Sequence, residues 1–161
     1  MSKKDEKNDK KDEGIKLIIK NKKAYHDYEI LERMECGIVL SGTEVKSLRD
    51  NNITWGQAYV RVEEGRLILI GVHIAEYAMG NVYNHRPEAV RTLLAHRREI
   101  NKLRIRVEEK GLTLVPLAFY WKHGLCKVEI GVGRGKALHD KRESLRNRDM
   151  QRQMDRDARI R

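Results

Sequence analysis

Long apolar runs, paired cysteines and catalytic signatures are all missing from this sequence, and each gap closes a class of function. No stretch approaches the roughly 20 consecutive apolar residues of a membrane span, and the Lys/Asp/Glu-rich N-terminus lacks the apolar core of a signal peptide. Cys36 and Cys126 form no C-x-x-C and sit in apolar, strand-like surroundings. They read as buried free thiols in a reducing compartment, so the expected location is cytoplasmic, with no membrane partner. His26, His73, His85, His96, His123 and His139 show no metal-ligand spacing, and no metal or other cofactor is expected. There is no G-x-S-x-G and no H-E-x-x-H. Gly131-Val132-Gly133-Arg134-Gly135-Lys136 is misspaced for a phosphate loop, and Ala137 stands where Ser or Thr would ligate magnesium. The reading is that the chain is not an enzyme.

What is present is positive charge. The chain carries a formal +10 with pI near 9.7, and 36% of its residues are charged against the usual quarter. A polyanion is the partner this suggests, nucleic acid being the commonest, although such charge also serves solubility alone. Hydrophobic residues make up 40%, enough for one folded domain with tails.

Residues 1–14 offer nothing apolar to bury and are expected to be disordered. Order is expected over 15–136. Tyr28 to Leu40 suits two strands joined around Met34 to Gly37. Gly42 to Arg49 suits a short helix capped by Thr43, with Val45 and Leu48 on one face. Ala58, Val60 and Val62 alternate, turn at Glu63-Glu64-Gly65-Arg66, and return over Leu67 to Val72. Leu112 to Trp121 and Cys126 to Arg134 make a second hairpin through Lys122-His123-Gly124, with Pro116 marking an edge or bulge. Between the hairpins a helix is expected from Pro87 to Gly111, with Leu93, Ile100, Leu103 and Val107 as its apolar stripe and Arg91 on another face. His96-Arg97-Arg98 marks a candidate break in it. The fold class is mainly β with helices: a small antiparallel barrel of the oligonucleotide-binding type, about three helices, and a disordered basic C-terminal tail.

The tail, 137–161, carries eight Lys/Arg against five Asp/Glu from Leu138 onward. On a helical wheel Lys141, Arg148, Arg152, Arg156 and Arg159 fall on one side, with Met150, Met154 and Ala158 roughly opposite. The apolar face is too thin to dock on the protein's own core. One reading is an arm that becomes helical when its basic stripe meets phosphates; the other is a solvated tail. Single positions also carry two readings each. Glu35 orders a neighbouring Lys or accepts a hydrogen bond from a base or ribose. Gly131 and Gly133 let RNA approach closely or are ordinary strand glycines. Trp55, Trp121 and the tyrosines are core packing or stacking platforms. His139 stacks on a base, or with Asp140 serves as the general base of a nuclease.

Several stretches taken together resemble the SsrA-binding protein (small protein B) family, the partner of bacterial transfer-messenger RNA. They are Asn21-Lys22-Lys23-Ala24, Gly42-Thr43-Glu44-Val45-Lys46-Ser47-Leu48-Arg49, Asn84-His85-Arg86-Pro87 with Leu93-Leu94 and Arg98-Glu99-Ile100, and Gly135-Lys136 with His139-Asp140-Lys141-Arg142. The resemblance implies an RNA-binding adaptor, expected to act as a monomer, that holds the tRNA-like domain of transfer-messenger RNA and delivers it to stalled ribosomes. It implies that Asn21, Lys22, Glu35, Leu94 and Lys127 lie on the face toward the tRNA-like domain, with Lys23 adding to that basic surface. Lys136, His139, Asp140, Lys141 and Arg142 would meet the decoding centre of the small subunit. Arg148, Arg152, Arg156 and Arg159 would line the messenger channel along a tail that is disordered when free. Ala89, Thr92 and Ala137 depart from the family, standing where a basic residue is common. The competing readings are a basic ribosomal or ribosome-assembly protein and an RNA nuclease acting through His139.

Overall fold

Two tight hairpins frame the molecule, and each turns on a residue pair at positive φ. Glu64 (φ 49°) and Gly65 (φ 72°) join β3 (Ile53–Glu63) to β4 (Arg66–Ile74), while His123 (φ 50°) and Gly124 (φ 79°) join β6 (Thr113–Lys122) to β7 (Leu125–Gly135). Left-handed backbone at both turn residues matches the twist of the flanking strands. The computed structural model describes residues 14–136 and 138–160, with side chains for all of these except 138–141, 143, 144 and 160. The expectation for the N-terminal extension therefore falls, up to residue 13, outside the described residues.

The remaining strands are β1 (Ile15–Lys20), β2 (Tyr28–Ile38) and β5 (Arg91–Leu94). Pairing runs β6-β3-β4-β5-β2-β7 and returns through β6–β7, closing a six-stranded antiparallel barrel, with β1 added along β6. This is the barrel expected from the strand count. Its core is built from Leu48, Leu67, Leu69, Ile74, Leu93, Ile100, Leu103, Leu114, Phe119, Val128, Ile130 and neighbours. Trp55 packs on Phe119 at 5.5 Å, so Trp55 is core packing rather than a stacking platform. A smaller cluster of Ala24, Val115 and Leu117 sits under α1 (Lys22–Asp27). Among the described residues no helix is long and apolar enough to cross a membrane.

The structure revises several local expectations. Tyr28 to Ile38 is one strand rather than two, because it pairs continuously with β7 and absorbs its irregularity as a bulge between Ile30 and Glu32. Pro116 marks such a bulge in β6, where register shifts before Ala118. Helix α2 (Gly42–Arg49) is capped by Ser41, not Thr43, through a capping box with Glu44. The long helix after Pro87 is instead β5 followed by α3 (Arg97–Lys110), which begins at the His96–Arg98 break. Arg91 and Leu93 are both buried, two residues apart, which is strand periodicity. Arg91 is thus an interior residue: it donates to Glu44, to Val72 O at 2.9 Å and to Pro87 O at 3.0 Å. Gly111 (φ 62°) ends α3 as expected. Gly131 and Gly133 are buried, and a Cβ there would meet Leu117 and Ile30 or Tyr28, so both serve the close packing of the strands.

The tail, expected to be disordered in the free chain, forms helix α4 (Leu138–Ile160). All its described side chains are exposed, Met150 and Met154 included. Pairs one turn apart support it locally, Gln151 donating to Asp155 at 3.0 Å and Gln153 to Asp157 at 3.3 Å.

Candidate nucleic-acid interface

Alternation along β2 points Cys36 into the core and Glu35 outward. Burial pushes the Cys36 thiol up to about 12, which leaves it inert as a nucleophile. Gly37 follows, and its missing side chain lets Leu94 of β5 lie across the strand; a Cβ on Gly37 would stand 3.2 Å from Leu94 Cβ. Lys127 of β7 is the register partner of Gly37. These choices open a shallow groove of about 440 Å³ lined by Glu35, Gly37, Leu94, Ala95, His96, Glu99 and Lys127. Three residues proposed from the sequence, Glu35, Leu94 and Lys127, thereby meet in one place. Leu94 is 55% exposed, an apolar contact beside a cation and a carboxylate. Such a mixture suits nucleotides, whose bases offer flat apolar faces and whose backbone offers charge.

Two residues behind the groove wall, which sequence reasoning missed, hold Glu35. The Tyr120 hydroxyl of β6 donates to Glu35 Oε2, and the Lys122 ammonium lies 3.4 Å from the same oxygen. The Tyr120 bond above all, aided by Lys122 and Lys127, holds the Glu35 carboxyl below its ordinary range, while desolvation pulls the other way. Burial foremost, then the Glu35 carboxylate, raises the Tyr120 phenol, so it remains a donor. Lys122 is therefore the cation that Glu35 orders, as one reading of the sequence supposed. Tyr120 lies 85 residues from its partner, and no local pattern connects them.

The remaining positions lie elsewhere. Asn21 is 6% exposed and committed to the fold: its Oδ1 accepts from Ala24 N at 3.2 Å, capping α1, and its Nδ2 donates to Pro116 O at 2.9 Å. It positions α1, while Lys22 and Lys23 in the first turn are exposed. Lys23 lines a second groove of about 340 Å³ with Asp27, Tyr28 and Tyr59, which shares no residue with the first. Lys136 fastens the root of the tail to α1, its amide donating to Asp27 O at 2.9 Å and its ammonium to Tyr25 O at 3.2 Å. His139, Asp140 and Lys141 fall in the first turn of α4, with their side chains outside the described residues. Arg142, Arg148, Arg152, Arg156 and Arg159 are exposed along α4. No group of three or more metal-ligating side chains occurs among the described residues.

Comparison with known proteins places this geometry among relatives. The family model for "SmpB protein" matches residues 18–160. The SsrA-binding protein of Geobacillus sp. is 51% identical over 146 residues, covering 91% of this chain and 94% of that protein. The SsrA-binding protein of Geobacter sulfurreducens is 49% identical over 141 residues, covering 88% and 92% respectively. A solved structure described as "tmRNA-SmpB: a journey to the center of the bacterial ribosome" is 45% identical with a TM-score of 0.63, covering 80% of this chain and 94% of that chain.

Proposed function

The chain belongs to the SmpB protein family, and from that premise we propose that it is an RNA-binding adaptor that binds the tRNA-like domain of transfer-messenger RNA and delivers it to stalled ribosomes. It works in the cytoplasm, as a monomer and without a catalytic step. The observation that carries this reading is the convergence of Glu35, Leu94 and Lys127 on one open groove of a closed barrel. The barrel supplies rigidity, Lys127 neutralises phosphate, Leu94 packs on sugar or base, and Glu35 accepts from a donor edge. Lys22 and Lys23 extend the positive surface along α1.

The tail is a separate functional unit. Residues 15–136 form the RNA-binding domain, and 137–161 engage the ribosome. Lys136, His139, Asp140, Lys141 and Arg142 meet the decoding centre, and Arg148, Arg152, Arg156 and Arg159 run along the messenger channel. An isolated helix with so thin an apolar face is marginal in water, so the basic stripe is held fully helical by the ribosomal RNA it binds. The test is which RNA co-purifies from cells. Transfer-messenger RNA should be enriched with the wild-type chain and depleted with Leu94→Ala/Lys127→Ala. Equal recovery of both RNA pools, or stoichiometric salt-resistant retention on ribosomes, would overturn the reading in favour of a ribosomal protein.

A further inference from the structure

Glu35 occupies an unfavourable place for a residue with only a structural duty. Its direct neighbour across the β2–β7 pairing is Glu129, and like charges in that position repel. On a surface that attracts polyanions, a carboxylate also opposes phosphate. The structure nevertheless invests two side chains of another strand in holding it. Tyr120 reaches from β6 over the intervening β7, whose Lys127 is its own register partner, to donate to Glu35 Oε2. Lys122, two residues on, stands 3.4 Å from Oε2 and 3.5 Å from Oε1. Glu35 Oε1 has that ammonium as its sole hydrogen-bond partner among the described residues, at the far limit of such a bond, and it lies on the wall of the groove with Leu94 and Lys127.

We propose that Tyr120 and Lys122 are positioning residues that fix Glu35 as an oriented, ionised acceptor for an N–H-bearing edge of an unpaired RNA base. The inference rests on the functional reading above and specifies what the groove selects. An acceptor-only group cannot bond phosphate, which has no proton to give, and it bonds base edges in proportion to the donors they show. Guanine presents an imino and an amino N–H side by side, matched to the two oxygens of a carboxylate. Adenine and cytosine present one amino group there, and uracil one imino group. A ribose hydroxyl is the other donor RNA supplies, so guanine→inosine and 2′-deoxy substitutions in the RNA separate the sources. The Tyr120 hydroxyl saturates one lone pair of Oε2 and stops the side chain from rotating, and the Lys122 ammonium keeps the carboxylate ionised. His96, which caps α3, and Glu99 in its first turn face the same groove, and the variants below separate their titration from that of Glu35.

The test is a double-mutant cycle on the full chain with the tRNA-like domain of transfer-messenger RNA as the probe. Glu35→Gln should weaken binding about tenfold, the loss of a hydrogen bond to a charged group. Tyr120→Phe should weaken it severalfold, and the double variant should be no weaker than Glu35→Gln alone. None of these changes should alter the salt slope, since no phosphate contact is lost. Wild-type affinity should fall at acid pH as Glu35 takes a proton. In Tyr120→Phe the fall should begin at higher pH, because the strongest influence holding that carboxyl down is gone. Glu35→Gln should lack this limb, whatever His96 and Glu99 contribute. Inosine at the contacted guanine should cost the wild type affinity and leave Glu35→Gln unmoved. Additive losses, or an acid limb in Tyr120→Phe at the wild-type pH, overturn this inference alone. So does a loss on 2′-deoxy substitution with none on inosine. A wild-type chain that does not bind the probe overturns the functional reading and this inference with it.

Discussion

The buried ion pair between Arg91 and Glu44 gives the sharpest stability prediction. Arg91 is 4% exposed and Glu44 7%. Arg91→Met keeps much of the side-chain volume and removes every donor. Glu44 Oε2 then loses its partner while Oε1 keeps only the Ser41 amide at 3.2 Å and hydroxyl at 3.1 Å. The carbonyls of Val72 and Pro87 lose their donor too. An unpaired buried charge costs about 3–5 kcal/mol. At about 2–4 °C per kcal/mol for a chain of this size, the thermal midpoint should drop by about 6 to 20 °C. Arg91→Met/Glu44→Met removes both charges and should recover most of that loss, since an apolar replacement of a buried pair is often neutral. Circular dichroism melts of the wild type and the two variants at low salt decide the matter. A loss under about 1 kcal/mol in Arg91→Met, or a double variant no more stable than the single, would refute the argument. Because β5 carries Arg91 at one end and Leu94 at the other, Arg91→Met should also loosen the groove, and its RNA affinity should fall on warming before the barrel melts.

Lys127→Ala should weaken binding of the tRNA-like domain and flatten the log–log salt slope by about 0.7 to 0.9; an unchanged slope removes Lys127 from the phosphate contacts. Gly71 (φ 83°) lies where a Cβ would stand 2.2 Å from Gln57 O, so Gly71→Ala should destabilise the barrel by about 3 kcal/mol or more in denaturant titration, and a neutral result contradicts the close approach of β3 and β4, whose register shifts between Trp55 and Tyr59. A chain ending at Lys136 should melt cooperatively near the full-length midpoint and still bind the RNA, while a lost transition would show that α4 supports the core. Arg148→Glu/Arg152→Glu/Arg156→Glu and, separately, Arg152→Pro should both bind the RNA normally and fail to support peptide tagging on stalled ribosomes. The proline costs about 3 kcal/mol of helix with most of the charge kept, so normal tagging by that variant alone would mean that charge and not helix matters.

How far each element could be read in advance follows from the range of the interaction that fixes it. The two hairpins were legible because their turns need only Glu64-Gly65 and His123-Gly124, and the flanking alternation needs only a few residues each way. The break at His96–Arg98 was legible for the same reason. Strand β5 was not. Four residues show too few periods to outweigh the helical spacing of Leu93 with Ile100, and what holds them extended is pairing to β4 and β2 far along the chain. Arg91 then looked like a surface cation because its partner Glu44 lies 47 residues away. The groove was reached through family resemblance, which brought Glu35, Leu94 and Lys127 forward without the Tyr120 that steadies the first. Resemblance also brought residues whose work is scaffolding. His85 bridges the Thr43 hydroxyl and Ile74 O, both at 2.9 Å, and Asn84 clamps both backbone groups of Tyr77.

The attachment of Lys136 has a mechanical consequence. A helix of 23 residues extends about 34 Å at 1.5 Å per residue, so α4 is a lever whose far end magnifies any error at its root. A rotation of about 10° there displaces Arg159 by about 6 Å, a full turn of helix. The Asp27 and Tyr25 carbonyls that grip Lys136 belong to α1, the helix that displays Lys22 and Lys23. Aim and grip therefore share one short segment. Whatever the cations of α1 hold sets the bearing from which the arm departs, and loosening Lys136 would cost accuracy at the tip long before it cost stability in the barrel.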